Sequence, residues 1–233
     1  LGEEKAILVG HDWGAPICWN TAVLQPDRVS AVAGLSVPYF QRGEMSSIER
    51  WKRLYEGKFF YQLYFQEEGV AEAELEADVR RSLKKVYYLY SGDPTQEDRQ
   101  ALFSKGPAST LLEGIPTPDP FPDWLTDEDL DYFVDAFTQS GFRGPLNRYR
   151  VQQRDWELLP QLSDLTVDQP SYFIAGALDA VRTFIPGVDM YANPGANCTD
   201  FRGATIIEGE GHWIQQEAPD QVNHALLGFL ADL

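Results

Sequence analysis

Cysteine is scarce in this chain of 233 residues: Cys18 and Cys198 are the only two. Two thiols are too few for a disulfide framework, so the fold must rest on a packed core, and both are expected to be reduced. Basic residues are also in short supply, 19 Lys and Arg against 36 Asp and Glu, for a net charge of −17. That balance is unsuited to phosphate backbones and anionic headgroups, so neither nucleic acid nor a membrane surface is an expected partner. No apolar run approaches the roughly 18 residues that would cross a bilayer. Histidine occurs only three times, and no set of His, Cys and acids has metal-ligand spacing, so neither a metal nor another cofactor is expected. Asn197-Cys198-Thr199 matches a glycosylation acceptor, but so short a motif arises readily by chance. What is left is a chain that is 43% hydrophobic, able to bury a core for one or two domains and expected in the cytoplasm.

The organising stretch is Gly10-His11-Asp12-Trp13-Gly14. Strand formers precede it (Ala6 to Val9), and a helix-like run from Ala15 to Gln25 follows, with Pro26 as its stop. A strand, a tight turn with glycine at both ends and a helix make the architecture of a nucleophile elbow, whose central residue is pushed out toward substrate. Both glycines are expected to be required because a Cβ there would collide with the strand and the helix. The central residue here is aspartate, not serine, and that redirects the chemistry. Lys5 to Val9 is almost continuously apolar, the pattern of a parallel strand buried on both faces. Such a strand needs neighbours on both edges. The expectation is therefore that a further segment of the protein precedes Leu1.

Val29 to Val37 reads as a second buried strand, completing a βαβ unit. From about residue 41 to 168 the character changes to helix patterning, aromatics and charge. Glu72 to Ser91 carries Leu75, Val79, Leu83, Val86 and Tyr90 near the helical period and predicts one helix stopped by Gly92. Thr126-Asp127-Glu128-Asp129 resembles a capping box before Leu130, Phe133, Val134 and Phe137, with Gly141 at the end. Pro116, Pro118, Pro120 and Pro122 mark a stiff loop between them. Strand patterning returns at Ser171–Ala175 and Ala204–Ile207, and a last helix spans about Asp220 to Leu230. The plan is α/β: residues 1–40 and 169–233 form a parallel sheet core, and 41–168 a helical lid inserted between them.

Each returning strand ends in a chemical group. Asp179 follows one in Gly176-Ala177-Leu178-Asp179, and His212 follows the next in Gly209-Glu210-Gly211-His212. Loops at the C-terminal ends of parallel strands share one edge of the sheet, where ligands bind, so Asp12, Asp179 and His212 are the candidate catalytic residues. His224 falls off the apolar face of the last helix and reads as a surface residue. His11 precedes the nucleophile and is expected to point away from substrate, in a packing role.

Those residues resemble the epoxide hydrolases of the α/β-hydrolase fold. Gly10-His11-Asp12-Trp13-Gly14, Asp179 and His212-Trp213 match in order. Tyr61-Gln62-Leu63-Tyr64-Phe65-Gln66-Glu67-Glu68-Gly69 and Ser140-Gly141-Phe142-Arg143-Gly144-Pro145-Leu146-Asn147-Arg148-Tyr149-Arg150 are very similar to the lid of the soluble enzymes. The resemblance implies a partial α/β-hydrolase fold with a helical lid and a small-molecule epoxide as substrate. It makes Tyr61 and Tyr149 the phenols that bind and protonate the epoxide oxygen. Asp12 would attack a ring carbon to form an ester, which water activated by His212 and Asp179 would hydrolyse. The backbone N–H of Trp13 would supply one oxyanion donor. The family's second donor lies in a His-Gly-x-Pro loop, a motif absent from this sequence. The expectation is that this chain alone falls short of turnover, since one lost donor costs about 10²–10³ in rate. Arg148 stands where relatives often have an aromatic residue, which bears on pocket shape. The alternatives are a haloalkane dehalogenase, which shares the fold and the Asp nucleophile but lacks the tyrosine pair, and a non-catalytic fragment of the same fold.

Overall fold

The branched and small residues Ala6–His11 form strand β1, and the chain turns directly into helix α1, Gly14–Leu24. After Pro26 comes strand β2, Val29–Leu35, then much later β3, Ser171–Gly176, and β4, Phe201–Ile207. A computed structural model describes residues 2–233, with the backbone alone for 101–103. Among the described residues these four strands make one sheet in the order β1-β2-β3-β4, every pair parallel. The chain divides into two units: Leu1–Gly43 with Leu159–Leu233, and Glu44–Leu158.

In the sheet unit the alternation of side chains along β2 sets two faces. Val32 packs with Ala15, Trp19 and Ala22 of α1. Leu35 packs on the opposite side with Ile174, Ile214 and Val222, and Ala31 and Ala33 with Phe229. That second face is covered by helix α11, Pro219–Ala231. Strand β1 departs from expectation. Among the described strands it pairs with β2 alone, and Ile7 and Val9 remain 43% and 47% exposed. An apolar run is consistent with two-sided burial, but here β1 stands at the edge of the sheet formed by the described residues.

The helical unit begins later and ends earlier than the sequence pattern suggested. Residues 159–168 belong with the sheet: Tyr39 Oη and Gln41 Nε2 both donate to the Leu165 carbonyl, and Val167 bridges to Cys198. These are long-range contacts to main-chain atoms that leave no periodicity to read. The Arg42 N–H meets the Leu162 carbonyl at 3.5 Å, so the sheet unit's chain leaves and returns at one place.

Between those points lie α2 (Ser47–Leu54), α3 (Tyr61–Tyr64), α4 (Val70–Glu76), α5 (Val79–Tyr90), α6 (Gln96–Phe103), α7 (Asp127–Ser140), α8 (Arg143–Arg150) and α9 (Gln152–Leu158). Leu75, Leu83, Leu130, Phe142 and Leu146 are among the residues of their shared core. The single helix expected over 72–91 is two. Asp78 adopts an extended φ of −155° and its side chain accepts from the Arg81 N–H, so it ends α4 and caps α5. The capping box at Thr126 forms as expected, with reciprocal bonds to Asp129, and Gly141 ends α7 at φ 66°. Glu72 and Arg150, nearly buried, make a bidentate pair at 2.7 and 2.9 Å that ties α4 to α8.

Candidate active site

The sheet unit builds a triad from three strand ends. Asp12 follows β1 with φ at 49°, a left-handed conformation that costs a non-glycine residue about 1–3 kcal/mol. Its N–H bonds the Leu35 carbonyl at 3.2 Å, and its own carbonyl accepts from Ala15 at 3.1 Å, so the strained residue is pinned from both sides. Gly10 is required here: a Cβ would lie 2.2 Å from the Gly14 carbonyl oxygen. Gly14 is not, because a Cβ there meets nothing within 4 Å. The expected collision at both glycines holds only at the first, since only the strand side of the turn is crowded by its own returning backbone.

Asp179 follows β3 and caps the short turn Ala180–Thr183, its Oδ1 accepting from the Val181 N–H at 2.9 Å. The loop after β4 passes so close to the end of β3 that a Cβ on Gly176 would lie 2.1 Å from the Gly211 oxygen. That approach sets His212 beside Asp179, with Nδ1 at 3.1 and 3.2 Å from the two carboxylate oxygens. The other ring nitrogen, Nε2, is 3.3 Å from Asp12 Oδ1. Asp179 is fully buried and His212 nearly so, whereas the Asp12 side chain keeps 32% of its exposure. The structure thus brings Asp12, His212 and Asp179 into one line, with the first carboxylate open.

Other residues fix the histidine, and sequence reasoning missed three of them. Glu217, in the short helix α10 (Ile214–Glu217), accepts from the N–H groups of Gly211 and Trp213 at 3.0 and 2.8 Å, gripping the backbone on either side of His212. The Ser36 hydroxyl donates to the His212 carbonyl, and the buried Tyr191 phenol donates to the Ser36 carbonyl at 2.6 Å. Only the place of Ser36, just past the end of β2, signals such a role. His11 has the packing role expected of it and a polar one besides: its Nε2–H donates to the His212 carbonyl at 2.7 Å. His224 is exposed on α11, in a groove with Tyr172, Arg202 and Asp220 that none of the triad lines.

Charge and burial tune the three groups. Burial disfavours an imidazolium at His212, but Asp179 and Asp12 outweigh it and raise the pKa to about 10. Burial likewise opposes a charged Asp12, yet the His212 hydrogen bond and charge and the Trp13 N–H hold its carboxyl below the ordinary value. His11 is driven down to about 4 by burial and then by the His212 charge, so it is neutral. Tyr191 is raised well above 10 by burial and by Asp179, and it remains a donor.

The helical unit carries the two phenols at the motif positions. Tyr61 in α3 and Tyr149 in α8 stand with ring centroids 5.7 Å apart, edge to face. Gln62 Nε2 donates to the Tyr61 oxygen at 3.0 Å, and Gln66 Nε2 spans the carbonyls of Gln62 and Tyr149. Arg148 turns to Asp155 at 2.5 Å.

Comparison with known proteins shows the family of the chain. The sequence profile of the α/β-hydrolase fold matches residues 1–219. Epoxide hydrolase A of Mycobacterium tuberculosis is 39% identical over the whole chain, which spans 71% of that protein. This chain belongs to the epoxide hydrolases of the α/β-hydrolase fold. Among solved structures of the family, an epoxide hydrolase from an endophytic Streptomyces is 45% identical with a TM-score of 0.91, over 99% of this chain and 69% of its own. Epoxide hydrolase A from Mycobacterium thermoresistibile is 43% identical with a TM-score of 0.88, over 99% and 70%. Like its relatives, this epoxide hydrolase joins a parallel sheet to helices, and among its described residues no helix is long and apolar enough to cross a membrane.

Proposed function

We propose that the chain opens a small-molecule epoxide to a vicinal diol through an ester on Asp12. The observation that carries this is the line of contacts from Asp12 through both nitrogens of His212 to Asp179, with a carboxylate where an elbow presents its nucleophile. In the first step an Asp12 oxygen bonds to a ring carbon and the carbon–oxygen bond breaks. The electron pair goes to the ring oxygen, which takes a proton from Tyr61 or Tyr149. Both phenols belong to the helical unit.

The second step needs neutral imidazole, and the first step generates it. At rest His212 holds a proton at neutral pH because two carboxylates face it. Esterification removes the charge of Asp12, leaving burial opposed by Asp179 alone, so the imidazole gives up its proton to solvent, and the phenolate left by the first step takes one back from solvent. It then takes a proton from water, whose oxygen attacks the Asp12 carboxyl carbon. The Trp13 N–H, already bonded to that carboxylate, supports the oxyanion. Collapse breaks the ester, and the leaving alkoxide takes the proton from His212.

A single turnover in ¹⁸O-water tests this. Label is expected in Asp12, with the first diol formed unlabelled; label appearing directly in the diol overturns the covalent route.

A further inference from the structure

Within the helical unit a run of buried amides leads to Tyr61, and its donors and acceptors can be assigned without ambiguity. An indole N–H only donates, and that of Trp51 points at Gln62 Oε1 at 3.1 Å. A main-chain carbonyl only accepts, and that of Tyr149 takes Gln152 Nε2 at 3.0 Å, the same nitrogen that reaches Gln62 Oε1 at 3.1 Å. Ser47 completes the run by donating to Gln152 Oε1 at 2.8 Å. Two independent fixed points therefore hold the Gln62 oxygen toward Trp51 and Gln152. Its nitrogen is left facing Tyr61, and in that contact the phenol oxygen is the acceptor.

We propose that Gln62, locked by Trp51 and Gln152, is a positioning residue that turns the Tyr61 phenol proton away from itself and toward the substrate oxygen. An accepting phenol oxygen cannot send its hydrogen along the same line, and accepting a hydrogen bond also stabilises the phenolate left after proton transfer. Gln62 and Gln152 are buried, so the amides have no water to turn toward, and the direction is built in before substrate arrives. The inference rests on the reading of Tyr61 as an acid in ring opening.

Gln62→Glu reverses the contact while keeping the shape. One carboxylate oxygen still accepts from Trp51 and Gln152, and the other must now accept the phenol proton. The measurement is the rate of ester formation on Asp12, by rapid quench and mass analysis of the intact protein from pH 5 to 8. The expected result is a rate about 10–100-fold lower at pH 8, with half-saturation by epoxide unchanged, recovering toward pH 5 as the introduced carboxyl protonates and becomes a donor. Trp51→Phe removes only the indole donor and releases the amide to turn. It is expected to slow ester formation several-fold with no such recovery, and it serves if the buried carboxylate prevents folding. Gln62→Glu forming ester at the wild-type rate throughout, or equally slowly at pH 5 and 8, overturns the proposal, as does an unchanged rate in Trp51→Phe. Wild type and Tyr61→Phe forming ester equally fast instead overturns the acid role of Tyr61 itself.

Discussion

At the scale of single residues, the electrostatics turn on His212. In the folded chain it keeps a proton up to about pH 10, whereas an exposed histidine loses it near 6.5. Its contribution to stability is therefore full below 6.5 and is lost as pH rises from there to about 10. Asp12→Gly removes one of the two carboxylates facing the ring and suits the positive φ at that position. The imidazole pKa, followed by NMR, should fall in this variant, and the alkaline loss of stability should become shallower. A pKa still near 10 would mean that forming the ester cannot release the base. Glu217→Ala leaves the N–H groups of Gly211 and Trp213 without their shared carboxylate and loosens the loop that carries the ring. A fall in kcat of about 10–100-fold with KM little changed is expected, since small misplacements of a catalytic group are costly. Asp12, Asp179 and His212 were legible in the sequence because each follows a strand at the same sheet edge. Glu217, Ser36 and Tyr191 were not, since their role is to bond main-chain atoms and no residue type announces that.

At the scale of elements, what could be read was local and what could not was paired over distance. The Thr126 box needed only its own four residues, and it formed. The break between α4 and α5 was hidden because Leu75, Val79 and Leu83 keep the helical spacing across it, while Asp78 withdraws a single backbone position. Asp78→Ala should cost about 1 kcal/mol, the usual worth of such a cap, measurable by urea unfolding. The tie between α4 and α8 was invisible, for Glu72 and Arg150 stand 78 residues apart. Arg150 holds the Glu72 carboxyl at about 2, below its ordinary 4.5. The pair therefore stabilises the fold above about pH 4.5 and loses that effect as pH falls toward 2. Glu72→Gln should destabilise by about 2–3 kcal/mol at neutral pH and by much less near pH 2. Equal loss at both pH values would count against the ion pair.

At the scale of the whole molecule, a sheet unit holds the carboxylates and imidazole and a helical unit holds the phenols. The proposed ester and the proposed acids thus belong to different units of one chain. Replacing residues 44–158 with a short Gly/Ser linker should preserve the raised imidazole pKa of His212 while abolishing ring opening. Loss of that pKa would mean that the sheet unit does not hold its triad unaided. The meeting of Arg42 and Leu162 makes such a graft geometrically undemanding. It also bears on how the family can diversify. Where a long excursion starts and finishes at one doorway, residues can be added or dropped within it without shifting the register of a single strand. Such a protein can rework its helices freely while the acid and base on the strands keep their spacing.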